Sequence, residues 1–379
     1  MRRSLILLVA GLVLSGSFAV GYRLTQVDRA TSPVALDVVD KVREALTGRY
    51  YRSVPPDVLR LGSVDAMLSA LKDPYTRYLA PPSYRLVRRE SASRFSGIGA
   101  AVLPSAAGLV VTGLEPGPAQ SAGVAVGDTI VRIGDTSARG LAVTAALTRM
   151  TGPPGSSVRI ELARGGRFFW LTLRRELVHA AIVDGRLLSF EGMRWGEIRL
   201  SAFRAGAAQV VARELRVLAH QGAQGFVLDL RDNPGGLLTQ AVAVSSLFLD
   251  RGVVVTLDGA HYDRTVFRAA GRALTRLPLV VLVDRSSASS AEIVAAALSE
   301  HSRATLVGER TFGKGVVQWL DPLGNGAALM LTVARYYTPL GHDLSRVGIG
   351  PQVHAVDDPA TRSDEALAAA LRVLARPAT

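Results

Sequence analysis

Cysteine is absent from the 379 residues, so the chain can form no disulfides and cannot be lipidated at a processed N-terminal cysteine. Lysine is nearly absent: Lys41, Lys72 and Lys314 are the only three among 44 basic residues, and all the rest are arginine. Aromatic residues are sparse at 6%, and no basic run carries interleaved aromatics. The formal net charge of +12 therefore does not indicate nucleic-acid binding; attraction to an anionic membrane or cell-wall surface suits scattered arginines better. Six histidines are present (His179, His220, His261, His301, His342 and His354), and only His301 lies near a serine cluster in sequence. No cluster of histidines and carboxylates has metal-ligand spacing, which leaves Asp229 and Asp232 with a structural reading ahead of a metal or carboxylate-pair one.

What is present centres on Leu277 to Gln318. Pro278–Val283 is a short, β-branched apolar run and reads as a buried strand. Ser286, Ser287, Ser289 and Ser290 follow, and Ala291–Leu298 reads as a helix. Ala304–Val307 reads as a second buried strand, leading into Gly308-Glu-Arg-Thr-Phe-Gly-Lys-Gly315 and an extended Val316–Leu320. Ser289-x-x-Glu292 fits a capping box, the common use of such a serine. It equally fits a nucleophilic hydroxyl at a helix N-terminus, where free N–H groups stabilise an oxyanion. A lysine kept between two glycines, in a chain that otherwise prefers arginine, asks for chemistry that arginine cannot do. A desolvated lysine can give up its proton and act as a base; the plain alternative is a surface lysine like Lys41 or Lys72. Gly308-x-x-x-x-Gly313-Lys314 also matches part of a phosphate-binding loop. Gly315 stands where that motif needs Ser or Thr, and no helix pattern follows, so nucleotide binding is rejected. Serine and lysine together suggest a Ser–Lys dyad.

Ser287-Ala-Ser289-Ser-Ala-Glu-Ile293, followed by Gly308-Glu-x-Thr-Phe-Gly-Lys314-Gly-x-x-Gln318, resembles the catalytic signature of carboxyl-terminal processing peptidases, the tail-specific S41-type serine peptidases. The resemblance implies Ser289 as nucleophile, Lys314 as general base and Gln318 as the residue that positions the lysine. Ser290-Ala291 stands where the family has Ala-Ser, which makes Ser290 a competing nucleophile that the spacing to Lys314 disfavours. Leu230-Arg-Asp-Asn-Pro-Gly-Gly236 is a further family hallmark. It implies one oxyanion donor at the N–H of Gly235 or Gly236, with Gly235 preferred, and the other at the N–H of Ser290. No metal or cofactor is implied.

The rest of the chain fits the same resemblance. Met1-Arg-Arg-Ser precedes Leu5–Tyr22, 18 residues without charge, and residues 1–24 read as an export signal or N-terminal membrane anchor. Residues 33–92 read as a helical region; Asp73-Pro-Tyr-Thr-Arg-Tyr-Leu79, also family-like, is expected to be structural. Residues 95–177 resemble a PDZ domain, with Gly97, Ile98, Gly99 and Ala100 as its peptide-carboxylate loop. Residues 179–355 alternate strand, turn and helix, as expected for the catalytic domain, and 356–379 supply a final helix and tail. The expected fold is multidomain α/β, with an N-terminal helical segment, a PDZ domain and an α/β core of the S41 (ClpP/crotonase-like) type.

The expected activity is that of an exported, membrane-associated endopeptidase acting on proteins or peptides with accessible C-termini. The competing class is a PDZ scaffold with a retired protease domain. A protease silent until a partner protein activates it, and an oligomer, are both left open by the sequence.

Overall fold

The computed structural model describes residues 33–91, 95–178, 182–271, 273–358, 360–361 and 363–376. The expected signal or anchor over 1–24 lies outside the described residues, as do Arg94 and His179. The described residues form two compact units, the smaller drawn from those between 89 and 178, the larger from 33–88 and those between 182 and 376.

In the smaller unit, short β-branched runs broken by glycine turns pair as an antiparallel sheet. Its spatial order is Ala100–Ser105, Gly108–Leu114, Thr129–Ile133, Ser157–Arg164 and Arg167–Arg174. Leu109, Ile130, Ile160 and Leu162 project from one face and enclose a core with Ala146 and Met150 of the helix Val143–Met150. Phe95–Gly97 pairs separately with Glu176–Val178, bringing the two ends of the unit together.

The larger unit is built on six strands in the order Val183–Phe190, Met193–Leu200, Phe226–Asp229, Leu279–Val283, Thr305–Gly308 and Val353–His354. The first pair is antiparallel and the others are parallel. Parallel strands joined by helices are covered on both faces, which explains why Leu279–Val283 reads as an unbroken apolar run. Its side chains alternate between two cores. Val281 and Val283 join the helices Ala207–His220, Leu238–Ser246 and Ser290–Glu300, whereas Val280 and Leu282 meet the helix Glu365–Ala375 on the other face.

A second sheet completes this unit. Ala328–Tyr337 is its central strand, flanked by Val316–Pro322 on one edge and by Arg77–Leu79 and Val253–Gly259 on the other, with Tyr262–Arg268 outermost. The strand Arg77–Leu79 interrupts a region expected to be helical throughout. The helix Pro33–Arg49 does not stand apart either, because its Val38, Val42 and Leu46 enter the main core of the larger unit.

Backbone approach is closest where Gly308 leaves its strand. Its φ is +127°, and a Cβ there would lie 2.0 Å from the Val283 carbonyl oxygen. Gly308→Ala is therefore expected to lower stability by roughly 2–5 kcal/mol through strain and overpacking, read as a shifted denaturant midpoint.

Candidate active site

The turn after Leu279–Val283 is fixed by short polar side chains. The Asp284 carboxylate accepts from the backbone N–H groups of Ser286 and Ser287 at 3.0 and 2.8 Å. Ser287, fully buried, donates its hydroxyl to the Leu230 carbonyl at 2.8 Å. The Ala288 N–H donates to the Asn233 carbonyl at 2.9 Å. Ser289 then sits at φ 55° and ψ −115°, left-handed backbone that a non-glycine residue holds only where its surroundings impose it. Ser290 opens the helix directly after it.

Glu292 has a larger part than its place in a capping box suggests. Its carboxylate is completely buried. One oxygen accepts from the Thr311 hydroxyl at 2.6 Å and the Gly313 N–H at 2.8 Å. The other accepts from the Ser289 N–H at 2.8 Å and the Lys314 N–H at 2.9 Å. The two amides on that second oxygen are therefore no further apart than the sum of those two bonds. A single carboxylate thus clamps the serine turn to the lysine loop. Tyr336, also buried, sits against it, its hydroxyl donating to the Lys314 carbonyl. Burial, followed by the Glu292 charge, holds that phenol well above its ordinary pKa.

The glycines around Lys314 permit the loop to pack. A Cβ on Gly313 would lie 2.9 Å from the backbone nitrogens of Val347 and Gly348, and one on Gly315 would lie 2.6 Å from Ser345. The chain then enters the strand Val316–Pro322, not a helix, which agrees with rejecting a phosphate-binding loop. Lys314 is half-buried by its accessible surface, yet protein surrounds its ammonium closely enough for desolvation to dominate. Burial, with added repulsion from Arg77, brings its pKa down from 10.5 to about 8, against an opposing pull from Glu292.

Gln318 does not reach Lys314 directly. Its amide Nε2 donates to the Tyr75 carbonyl at 2.5 Å, and the Tyr75 ring centroid lies 5.8 Å from Lys314 Nζ. The Asp73 carboxylate shapes that segment, accepting from the Tyr75 N–H at 2.9 Å and the Thr76 hydroxyl at 2.7 Å. Asp73–Leu79, expected to be purely structural, thus brings a ring and a charge to the lysine. The sequence reading missed Tyr75 and Arg77, and the family-like Asp-Pro-Tyr-Thr run was the available signal.

The Pro-Gly-Gly turn packs directly on the serine. A Cβ on Gly235 would lie 2.8 Å from both Ser289 Cβ and the Ser290 nitrogen. The Gly235 N–H already donates to Asn233 Oδ1 at 2.8 Å, because the buried Asn233 side chain folds back over its own turn. The Gly236 N–H has no acceptor among the described residues, nor does that of Ser290 at the first turn of its helix. The Ser290 hydroxyl, the competing nucleophile, donates to the Gly236 carbonyl at 2.9 Å.

His301 and His342 are held elsewhere. His301 bonds the Val253 carbonyl at 2.7 Å from the far end of the helix Ser290–Glu300, roughly 18 Å from Ser289 at 1.5 Å per residue. His342 pairs with Glu300 at the same far end. Asp229 and Asp232 join Arg199 and Arg231 in an ion-pair network, with Arg231 reaching Asp364 at 2.8 Å. Asp232 is pushed up to about 6, by burial first and then by Asp284. Among the described residues no group of three or more His, Cys, Asp or Glu is gathered as a metal would require. In the smaller unit Ile98 is buried; the carbonyls of Ile98 and Gly99 accept from the N–H groups of Ala119 and Glu115 at 2.8 and 2.9 Å. Gly99 has φ +77°, and Gly97 and Ala100 end the flanking strands.

Comparison with known proteins agrees with this architecture. The sequence profile of Peptidase family S41 matches residues 194–355, and that of the PDZ domain matches residues 86–163. The molecule is thus a PDZ-containing peptidase of family S41 with a multidomain α/β fold. The carboxyl-terminal-processing protease of Synechocystis sp. is 39% identical over 295 residues, covering 76% of this chain and 69% of that protein. The carboxy-terminal processing protease of Bacillus subtilis is 33% identical over 335 residues, covering 88% of this chain and 71% of its own length. The solved structure of the photosystem II D1 C-terminal processing protease superposes with a TM-score of 0.58 at 30% identity, covering 92% of this chain and 98% of that one. The chain belongs to the carboxyl-terminal-processing protease family.

The Glu292 clamp gives a direct prediction. Glu292→Ala would leave the Thr311, Gly313, Lys314 and Ser289 donors without their acceptor, at a cost of about 3–5 kcal/mol. The melting temperature is expected to fall by several degrees and peptidase activity to fall further than the melt alone explains. Unchanged activity in a folded Glu292→Ala protein would remove the clamp from the account.

Proposed function

We propose that the chain is an exported serine endopeptidase that captures protein C-terminal tails on its PDZ domain and cleaves them with a Ser289–Lys314 dyad. The observation that carries this reading is the Glu292 oxygen shared by the Ser289 and Lys314 amides, next to a lysine whose pKa is brought down to about 8. Ser289 Oγ attacks the scissile carbonyl carbon, and the neutral amine of Lys314 takes its proton. The tetrahedral oxyanion is held by the N–H groups of Ser290 and Gly236, the latter replacing Gly235. The intermediate collapses as the lysinium returns the proton to the departing amine, leaving an acyl-enzyme on Ser289. Water, activated by the same lysine, then releases the acid. Gln318 acts through Tyr75, holding the backbone whose ring faces the ammonium. The N–H groups of Gly97, Ile98, Gly99 and Ala100 are assigned to the substrate carboxylate, while the peptide adds to the strand that Ala100 begins.

Export rests on Arg2, Arg3 and the uncharged stretch Leu5–Tyr22. No helix among the described residues is long and apolar enough to cross a membrane. The domain limits 95–177 and 179–355, with helical and tail segments at 33–92 and 356–379, are proposed on the same sequence grounds.

The test compares cleavage of an unfolded protein with an apolar C-terminus by wild type, Ser289→Ala and Lys314→Arg, each checked by thermal melting. Loss of at least about 10³-fold in both folded variants is expected, because arginine keeps the charge and cannot act as a base. Activity surviving Lys314→Arg would overturn the lysine mechanism. Tail binding without turnover by wild type would favour a scaffold.

The pH dependence carries a sign. The ammonium is the inactive form, so kcat/KM is expected to rise with pH through a midpoint near 8 and to level off above it. Arg77 repels that ammonium, so Arg77→Gln should move the midpoint to higher pH; an unmoved midpoint would separate Arg77 from the lysine.

A further inference from the structure

The hairpin Ser157–Arg164 and Arg167–Arg174 presents two faces of opposite character. Inward, Val158, Ile160, Leu162 and Leu173 are buried, with Phe169 and Leu171 packed against them. Outward, Phe168 is 65% exposed and Trp170 37% exposed on the final strand of the sheet. The inner face already supplies the core, so these two aromatics are not needed to fold the unit. Their setting is basic: the hairpin carries four arginines and a single carboxylate, Glu161, which stands opposite Trp170. The Arg159 guanidinium lies 4.2 Å from the centroid of the Trp170 ring. Arg174 is exposed on the same face of that strand as the two aromatics, and Arg167 is exposed beside the tip. Arg164 is already committed to Asp128 at 2.6 Å. Gly165 and Gly166, both at positive φ, form a narrow tip without side chains.

Exposed aromatics flanked by arginines suit the headgroup layer of a bilayer. Rings settle between acyl chains and water, and guanidinium groups meet phosphates. An anionic leaflet adds roughly fivefold in partitioning for each arginine near its surface. We propose that this hairpin docks on an anionic lipid surface, seating Phe168 and Trp170 among the headgroups with Arg159 and Arg174 on the phosphates. The proposal is independent of the catalytic reading and concerns a contact separate from the N-terminal stretch.

The absence of cysteine makes the test clean. The full chain carrying Phe168→Cys is labelled with an environment-sensitive fluorophore and added to phosphatidylglycerol–phosphatidylcholine vesicles with brominated acyl chains. The label at 168 is expected to shift to the blue and be quenched. A label at Ala106→Cys, on the exposed turn between Ala100–Ser105 and Gly108–Leu114, should not respond. Adding Arg159→Glu and Arg174→Glu should reduce quenching at 168 at least tenfold, with the thermal melt confirming the fold. Three results would overturn the proposal. One is no response at 168 although the chain sediments with the vesicles; another is an equal response on pure phosphatidylcholine. The third is a concentration-dependent response without vesicles, which would assign the face to self-association.

Discussion

One buried carboxylate holds the site together. Glu292 accepts four hydrogen bonds at 2.9 Å or less, from a hydroxyl and three backbone amides drawn from the serine turn and the lysine loop. A charge in that position is costly unless fully satisfied, and here its partners are the groups whose mutual placement matters. The strained backbone of Ser289 can persist because this carboxylate, the Asn233 carbonyl and the Ser287 hydroxyl all constrain it. Removing the clamp would release the strain and the alignment together.

The two sheets of the larger unit deliver these pieces from different directions. The parallel sheet brings the Asn233–Gly236 turn and the serine turn to the ends of neighbouring strands, Phe226–Asp229 and Leu279–Val283. The second sheet carries Gln318, and its short strand Arg77–Leu79 continues the turn that holds Tyr75. Thr76 and Thr332, linked at 3.1 Å through their buried hydroxyls, fix that turn on the central strand. Lys314 lies where the two contributions meet, which is why its titration responds to Arg77 and Glu292 at once.

Much of this was legible in the sequence because the signals are local. A β-branched run, a serine cluster and good helix formers announce a strand–turn–helix, and Gly-Lys-Gly announces a loop that packs closely around a cation. What local patterns could not show was pairing across long separations. Tyr75 meets Gln318 243 positions away, and Arg77–Leu79 is a strand only because Ala328–Met330 pairs with it. Periodicity therefore extended the helical region through it. Glu292 looked like a capping residue because that is its one local bond; its other donors lie 19 to 22 positions further on. A turn motif likewise does not reveal that the Asn233 side chain folds onto the Gly235 N–H.

The measurement closest to the central claim is the rate of covalent labelling by a serine-directed fluorophosphonate, followed across pH and mapped by peptide mass spectrometry. The account predicts a single adduct on Ser289, forming faster as pH rises through a midpoint near 8. An adduct on Ser290, or a Ser289 rate indifferent to pH across that range, would contradict the dyad and the lysine that defines it.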